Sequence, residues 1–247
     1  MSLSAILITK DEAANIAACL ESVAFADEII VVDSGSGDQT VEIAKKFGAK
    51  VLVTSDWQGF GAQKQRALDR ATGEWVLSID ADERIPGALR DQIIAAMADG
   101  ACAGYRLNRL SWFLGQPMRH GGWHPDRVLR LARRDKARFS PDIVHERLLV
   151  EGPVGDLAEP MLHYSYTSVD DVLRKMRTYA LASAEERRLK GVRGGLGVAI
   201  TRASFGLLKA YVLKAGFLDG KRGFVAACFK AQETFWRYIA AGWERGL

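Results

Sequence analysis

The sequence is poor in most features that would mark a secreted, membrane-spanning or metal-stapled chain. Its 247 residues include three cysteines, six prolines and four histidines. Cys19, Cys102 and Cys228 are scattered among apolar neighbours, which predicts buried free thiols in a reducing compartment and no disulfide framework. Too few histidines and unsuitably spaced cysteines argue against a zinc site. No run of 18 uncharged apolar residues occurs, and this predicts no membrane-crossing segment. The first strand-like run, Ser4–Ile8, starts too early to follow a leader peptide. Low proline with 48% hydrophobic residues excludes extended disorder. No repeat and no low-complexity tract is present. After the first strand the chain reads Thr9-Lys10-Asp11-Glu12, without the Gly-x-Gly-x-x-Gly of a nicotinamide-binding domain, and no phosphate-binding Gly-x-x-x-x-Gly-Lys-Ser/Thr loop exists.

Charge is distributed unevenly. Residues 1–100 carry nine Lys/Arg against sixteen Asp/Glu, and residues 170–247 carry fifteen against seven. The first region suits an acidic catalytic domain able to hold a cation. The last suits an anionic neighbour, either a nucleic acid or a phospholipid surface.

Apolar periodicity alternates between strand and helix over the first hundred residues. Strands are expected at 4–9, 28–32, 50–53 and 75–79, with helices at 12–23, 40–47 and 60–71 between them and a further helix after Pro86. This order predicts an α/β, mostly parallel sheet with helices on both faces. From 104 to 151 short strands alternate with Gly-, Pro- and Trp-containing loops. Helices are expected at 169–190, 196–214 and 224–241. The expected division is a catalytic domain over 1–165, with a nucleotide half to residue 100 and an acceptor half beyond it, then a basic helical region over 166–247.

The strand Trp75-Val76-Leu77-Ser78-Ile79 ends abruptly in Asp80-Ala81-Asp82-Glu83. Ligands bind at the carboxyl ends of strands in open α/β sheets. Two carboxylates at i and i+2 make poor core and good ligands for a hard divalent cation; an acidic solvated turn is the alternative. Asp33 closes the second strand and opens a Ser-Gly-Ser-Gly-Asp loop, where it either accepts from a base or ribose or simply builds the turn. Lys64 and Arg66 lie two residues apart on one helix, so at most one faces a ligand.

Taken in order, Thr9-Lys10-Asp11-Glu12, Val32-Asp33-Ser34-Gly35-Ser36-x-Asp38-x-Thr40, Gln63-Lys64-Gln65, Ala71-Thr72-Gly73-Glu74-Trp75 and Asp80-Ala81-Asp82 resemble family 2 glycosyltransferases of the GT-A fold. Later motifs resemble the lipopolysaccharide inner-core members, often β-1,4-glucosyltransferases: Trp123-His124-Pro125-Asp126-Arg127-x-x-Arg130-Leu131, Val144-His145-Glu146, His163-Tyr164-Ser165-Tyr166 and Gly216-Phe217-Leu218-Asp219-Gly220. Asp11 and Gln65 stand where asparagine is common in the family.

The resemblance implies an inverting transfer from a UDP-sugar, glucose foremost, to an anionic glycolipid. Thr9, Glu12, Asp33, Lys64, Asp80 and Ala81 would bind the nucleotide sugar. Asp82 and His163 would hold a divalent metal, Mg2+ or Mn2+. Trp123, His124, Asp126, Arg127 and His145 would meet the acceptor. Glu146 is the first choice as general base, with Asp126 as its rival. The implied location is cytoplasmic, peripheral to the inner membrane. The basic, aromatic-rich C-terminal helices either lie in a membrane interface or pack against the catalytic domain or a second subunit. Two further classes remain open, a nucleotidyltransferase releasing pyrophosphate and a nucleic-acid-binding module. Against the second, no nucleic-acid motif appears and none is expected as a partner.

Overall fold

A computed structural model describes residues 1–140, 146–192 and 194–243. The chain begins with β1 (Leu3–Thr9), α1 (Ile16–Ser22), β2 (Glu28–Asp33), α2 (Thr40–Lys46), β3 (Lys50–Val53), α3 (Phe60–Arg70) and β4 (Trp75–Ser78). Then follow β5 (Glu83–Arg84), α4 (Gly87–Asp99), β6 (Gly104–Phe113), β7 (Gln116–Pro117), β8 (Asp126–Arg133), β9 (Ala137–Phe139), β10 (Leu148–Val150) and β11 (Val154–Tyr166). Three helices complete the chain: α5 (Val169–Leu189), α6 (Leu196–Leu208), which continues as a π turn over Lys209–Leu213, and α7 (Gly220–Trp243).

The main sheet runs β3-β2-β1-β4-β8-β6-β11-β5, with β7 added on β6, and β9 pairs with β10 separately. Pairing is parallel among β3, β2, β1 and β4 and antiparallel where β8 meets β4 and β6. Period-two alternation sorts the side chains of β1 to opposite faces. Leu3, Ala5 and Leu7 cluster with Ile16 and Leu20 of α1 and with Leu89, Ile93 and Met97 of α4. Ile6 clusters instead with Ala67 and Leu68 of α3. Helices thus cover both faces, as the alternation of strand and helix predicts. Gly100, at φ 64°, closes α4 in the left-handed conformation, a stop that costs other residues a steric penalty.

The chain forms two compact units. The first holds Met1–Arg109 and Asp126–His163; the second holds Leu110–Pro125 and Tyr164–Leu247. Residues 110–125, expected in the acceptor half of the first domain, group with the helices. Strand β11 has no counterpart in the sequence reading.

The second unit has a small aromatic core of Phe113, Met118, Val172, Ala226 and Phe229, against which Trp123 and Tyr166 pack. Burial of Tyr166 raises its pKa. A Cβ on Gly223 would come within 1.9 Å of the Gly216 carbonyl oxygen, so close backbone approach demands glycine there. Leu196–Leu213 forms an 18-residue helical run of mean hydropathy 1.4, long and apolar enough to cross a membrane despite Arg202 and Lys209.

Candidate active site

The carboxyl ends of β1, β2 and β4 supply the first residues. Asp33 is fully buried. It accepts from Thr9 Oγ1 at 3.0 Å, from the Gly35 and Ser36 amides at 3.0 and 2.8 Å, and from the Ser36 hydroxyl. Its carboxylate shapes the loop that follows β2, and Thr9 holds it in place. Asp11 lies at φ 55°, which Asp and Asn tolerate better than other side chains; this accounts for the Asp-for-Asn exchange. Asp11 also binds the loop, its Oδ1 accepting from the Gly37 amide at 2.7 Å. The Glu12 amide donates to Thr40 Oγ1 at 2.8 Å, and its Oε2 accepts from Asn15 Nδ2 at 2.8 Å.

Beyond β4, Ala81 is buried and its carbonyl accepts from the Arg84 guanidinium at 2.7 Å, so it serves the interior of the acidic loop. The two aspartates beside it have different surroundings. Asp80 Oδ1 is 3.0 Å from Lys64 Nζ, and its Oδ2 meets Arg130. Burial opposes ionisation of Asp80, but Arg130 first and Lys64 second outweigh it and hold the carboxyl far below the usual range. Asp82 Oδ2 lies 3.4 Å from His163 Nε2.

Lys64 is buried on α3, whereas Arg66 faces outward to Asp56 at 2.6 Å; only one of the two cations enters the site. Lys64 also reaches Glu146 Oε1 at 2.9 Å. One ammonium therefore joins the acidic loop to the carboxylate expected to act as base. Asp126, the rival, is paired with Arg109 Nη2 at 2.7 Å.

Three residues of this network had no assigned role in the sequence: Glu83, Arg109 and Arg130. Glu83 has no exposed surface, accepts from the Asp80 amide at 2.9 Å and from Arg130 at 2.6 Å, and has Arg109 at 3.6 Å. Burial opposes the charge on Arg130, and Asp80 and Glu83 overcome that penalty. A buried charge persists only when paired this way. The available signal was an arginine inside the apolar run Val128-Leu129-Arg130-Leu131-Ala132.

The expected acceptor residues divide between the two units. Arg127 is exposed and pairs with Asp156 at 3.1 Å. Trp123 and His124 belong to the second unit, where Trp123 packs on Phe113 and Tyr166 with ring centroids 5.7 Å apart in each case. His145 lies outside the described residues. In the second unit Asp219 ties the 116–120 segment, accepting from the His120 amide and pairing with its ring at 2.8 Å each.

No group of three His, Cys, Asp or Glu fit to hold a metal occurs among the described residues. Asp82 and His163 nevertheless fit a hard divalent cation. Their donor atoms converge to a spacing close to that of adjacent ligands on one ion, and such ions commonly take the rest of their shell from phosphate and water. Near them, Cys19 Sγ approaches the Asp80 carbonyl oxygen at 3.4 Å, and burial pushes this thiol far above its ordinary pKa.

Comparison with known proteins matches this architecture. The model of the family described as "Glycosyl transferase family 2" matches residues 4–146. The lipopolysaccharide core biosynthesis glycosyltransferase LpsC of Rhizobium meliloti is 30% identical over 95% of this chain and 90% of its own length. An uncharacterized glycosyltransferase of Rickettsia typhi is 31% identical over 95% and 85%. Among solved structures, the mannosyltransferase PcManGT of Pyrobaculum calidifontis, in complex with GDP-Man and Mn2+, superposes with a TM-score of 0.57. It is 14% identical, over 98% of this chain and 87% of that one. TarS 1–349 of S. aureus in complex with UDP-GlcNAc gives 0.51 at 16% identity, over 92% and 79%. The sheet is that of the GT-A glycosyltransferases, and the chain belongs to glycosyl transferase family 2.

Proposed function

We propose that the protein transfers glucose from UDP-glucose, with inversion, to a hydroxyl of an anionic glycolipid of the lipopolysaccharide inner-core type. The reaction would take place at the cytoplasmic face of the inner membrane. The observation that carries this reading is the Lys64 ammonium shared between Asp80 and Glu146. It places a cation suited to a diphosphate beside a carboxylate suited to proton removal. The full-length likeness to LpsC supports the acceptor class.

In this mechanism the acceptor hydroxyl attacks the anomeric carbon on the face opposite the nucleotide and gives its proton to a Glu146 carboxylate oxygen. The bond between the anomeric carbon and the phosphate oxygen breaks, and UDP departs with its electron pair. Lys64, drawn from the carboxylates toward the diphosphate, meets the charge that develops there and releases Glu146 to act as base. Arg130 and Glu83 keep the acidic loop in position throughout. Asp82 and His163 would hold Mg2+ or Mn2+, which supplies further positive charge to the leaving group.

A screen of nucleotide sugars by thermal stabilisation, with and without Mn2+, tests the donor assignment. UDP-glucose with Mn2+ should raise the melting temperature most, and no response to any UDP species would overturn it. For the base, Glu146→Gln should keep UDP binding and slow transfer by about 10²–10⁴-fold. If Asp126→Asn does so instead, the base is Asp126.

A further inference from the structure

The second unit leaves an apolar face that its own core does not use. The helical run Leu196–Leu213 is only 6% buried. Leu196, Ile200, Leu208 and Val212 are each about half exposed, and at about 100° per residue they spread over roughly half of the helix surface. Phe205, also exposed, lies at the edge of that half. Isolated exposed leucines are ordinary, but this many large apolar side chains on one half of a helix mark a contact surface.

Charge identifies the partner. Residues 194–233 carry six cations, Arg202, Lys209, Lys214, Lys221, Arg222 and Lys230, against two acids, Asp219 and Glu233; Glu233 is buried and paired with Lys230 at 3.1 Å. Asp219 is buried and committed to His120. A two-fold contact would set this patch against a copy of itself and bring like charges together. An anionic bilayer accepts both components, the apolar half among acyl chains and the cations among headgroups. Arg202 and Lys209 lie within the run and oppose its crossing the hydrocarbon core.

We propose that this face docks in the plane of an anionic phospholipid bilayer, with Leu196–Leu213 lying along the headgroup–acyl boundary. The inference rests on the reading of a membrane-held acceptor, and its test uses lipid alone so that donor binding is scored separately. The full-length protein is floated with vesicles of phosphatidylglycerol and phosphatidylethanolamine, or with phosphatidylcholine vesicles. Binding should favour the anionic vesicles by about tenfold or more and weaken as salt rises. Ile200→Glu/Leu208→Glu should lose vesicle binding at unchanged melting temperature and UDP binding. Lys209→Glu/Lys214→Glu should lose the anionic preference.

Three results would overturn the proposal. One is absence of wild-type binding, or equal binding by both double variants. Another is a lipid-free dimer that Ile200→Glu/Leu208→Glu dissolves, which would assign the face to a second copy. The third is retention of the bound protein after alkaline carbonate washing, which would show that the run crosses the bilayer.

Discussion

The two units place charge and apolar surface in opposite ways. In the first, Lys64, Glu83 and Arg130 are buried and paired with one another or with Asp80 and Glu146, while the large apolar side chains of β1, β2 and β4 are covered. In the second, much of the large apolar surface of α6 and the turns after it faces outward, and cations outnumber acids around it. The first arrangement fixes geometry, because a buried ion network loses its compensation if a single member moves. The second fixes no geometry of its own and suits a fluid, extended partner. Similar residue types therefore do different work according to what covers them.

The contrast can be broken most strongly at Arg130. Arg130→Met leaves Glu83 buried without its main partner and should cost about 3–5 kcal/mol of unfolding free energy, measured by urea denaturation. A loss below about 1 kcal/mol would show that Arg109 alone can satisfy Glu83. A paired truncation sharpens the comparison further. Ile93→Ala, in the core of the first unit, should cost about 2–5 kcal/mol. The matching Ile200→Ala on the outward face of α6 should stay within about 0.5 kcal/mol. Equal losses would mean that α6 is not a free surface in the folded chain.

A further effect concerns pH. Burial works to raise the pKa of Glu28, but the ion pair with Lys50 and hydrogen bonds from Ser4 and Thr72 overcome it, lowering the value from 4.5 to about 2. A carboxyl with a depressed folded value stabilises fully above its unfolded value. This contribution should therefore be lost as pH falls from about 4.5 toward 2. Glu28→Gln should flatten unfolding free energy against pH across that window.

Much of the first unit was legible in the sequence because its signals are local. The alternation of strands and helices, the aspartates closing β2 and β4, and Lys64 on α3 can each be read from a few consecutive residues. Strand β11 was not legible. Gly155, Asp156, Glu159 and Pro160 give it the composition of a loop, and it persists because β6 pairs with it and because β5 pairs with it only at Leu162 and His163, away from the proline. The network of Glu83, Arg109 and Arg130 was hidden for another reason. Its members come from strands separated by tens of residues, and only the fold makes them neighbours. Asp33 shows the converse, since its part in building the turn was visible from the loop that it opens.

The Cys19 thiol against the Asp80 carbonyl has a practical consequence. Thiolate, not thiol, reacts with alkylating reagents, and this one is sealed and held protonated in the native state. Its labelling in the folded protein must wait for the first unit to open. Cys19 is thus a built-in clock for native-state opening beside the acidic loop, one that can be timed by mass spectrometry of its own peptide without engineering the chain.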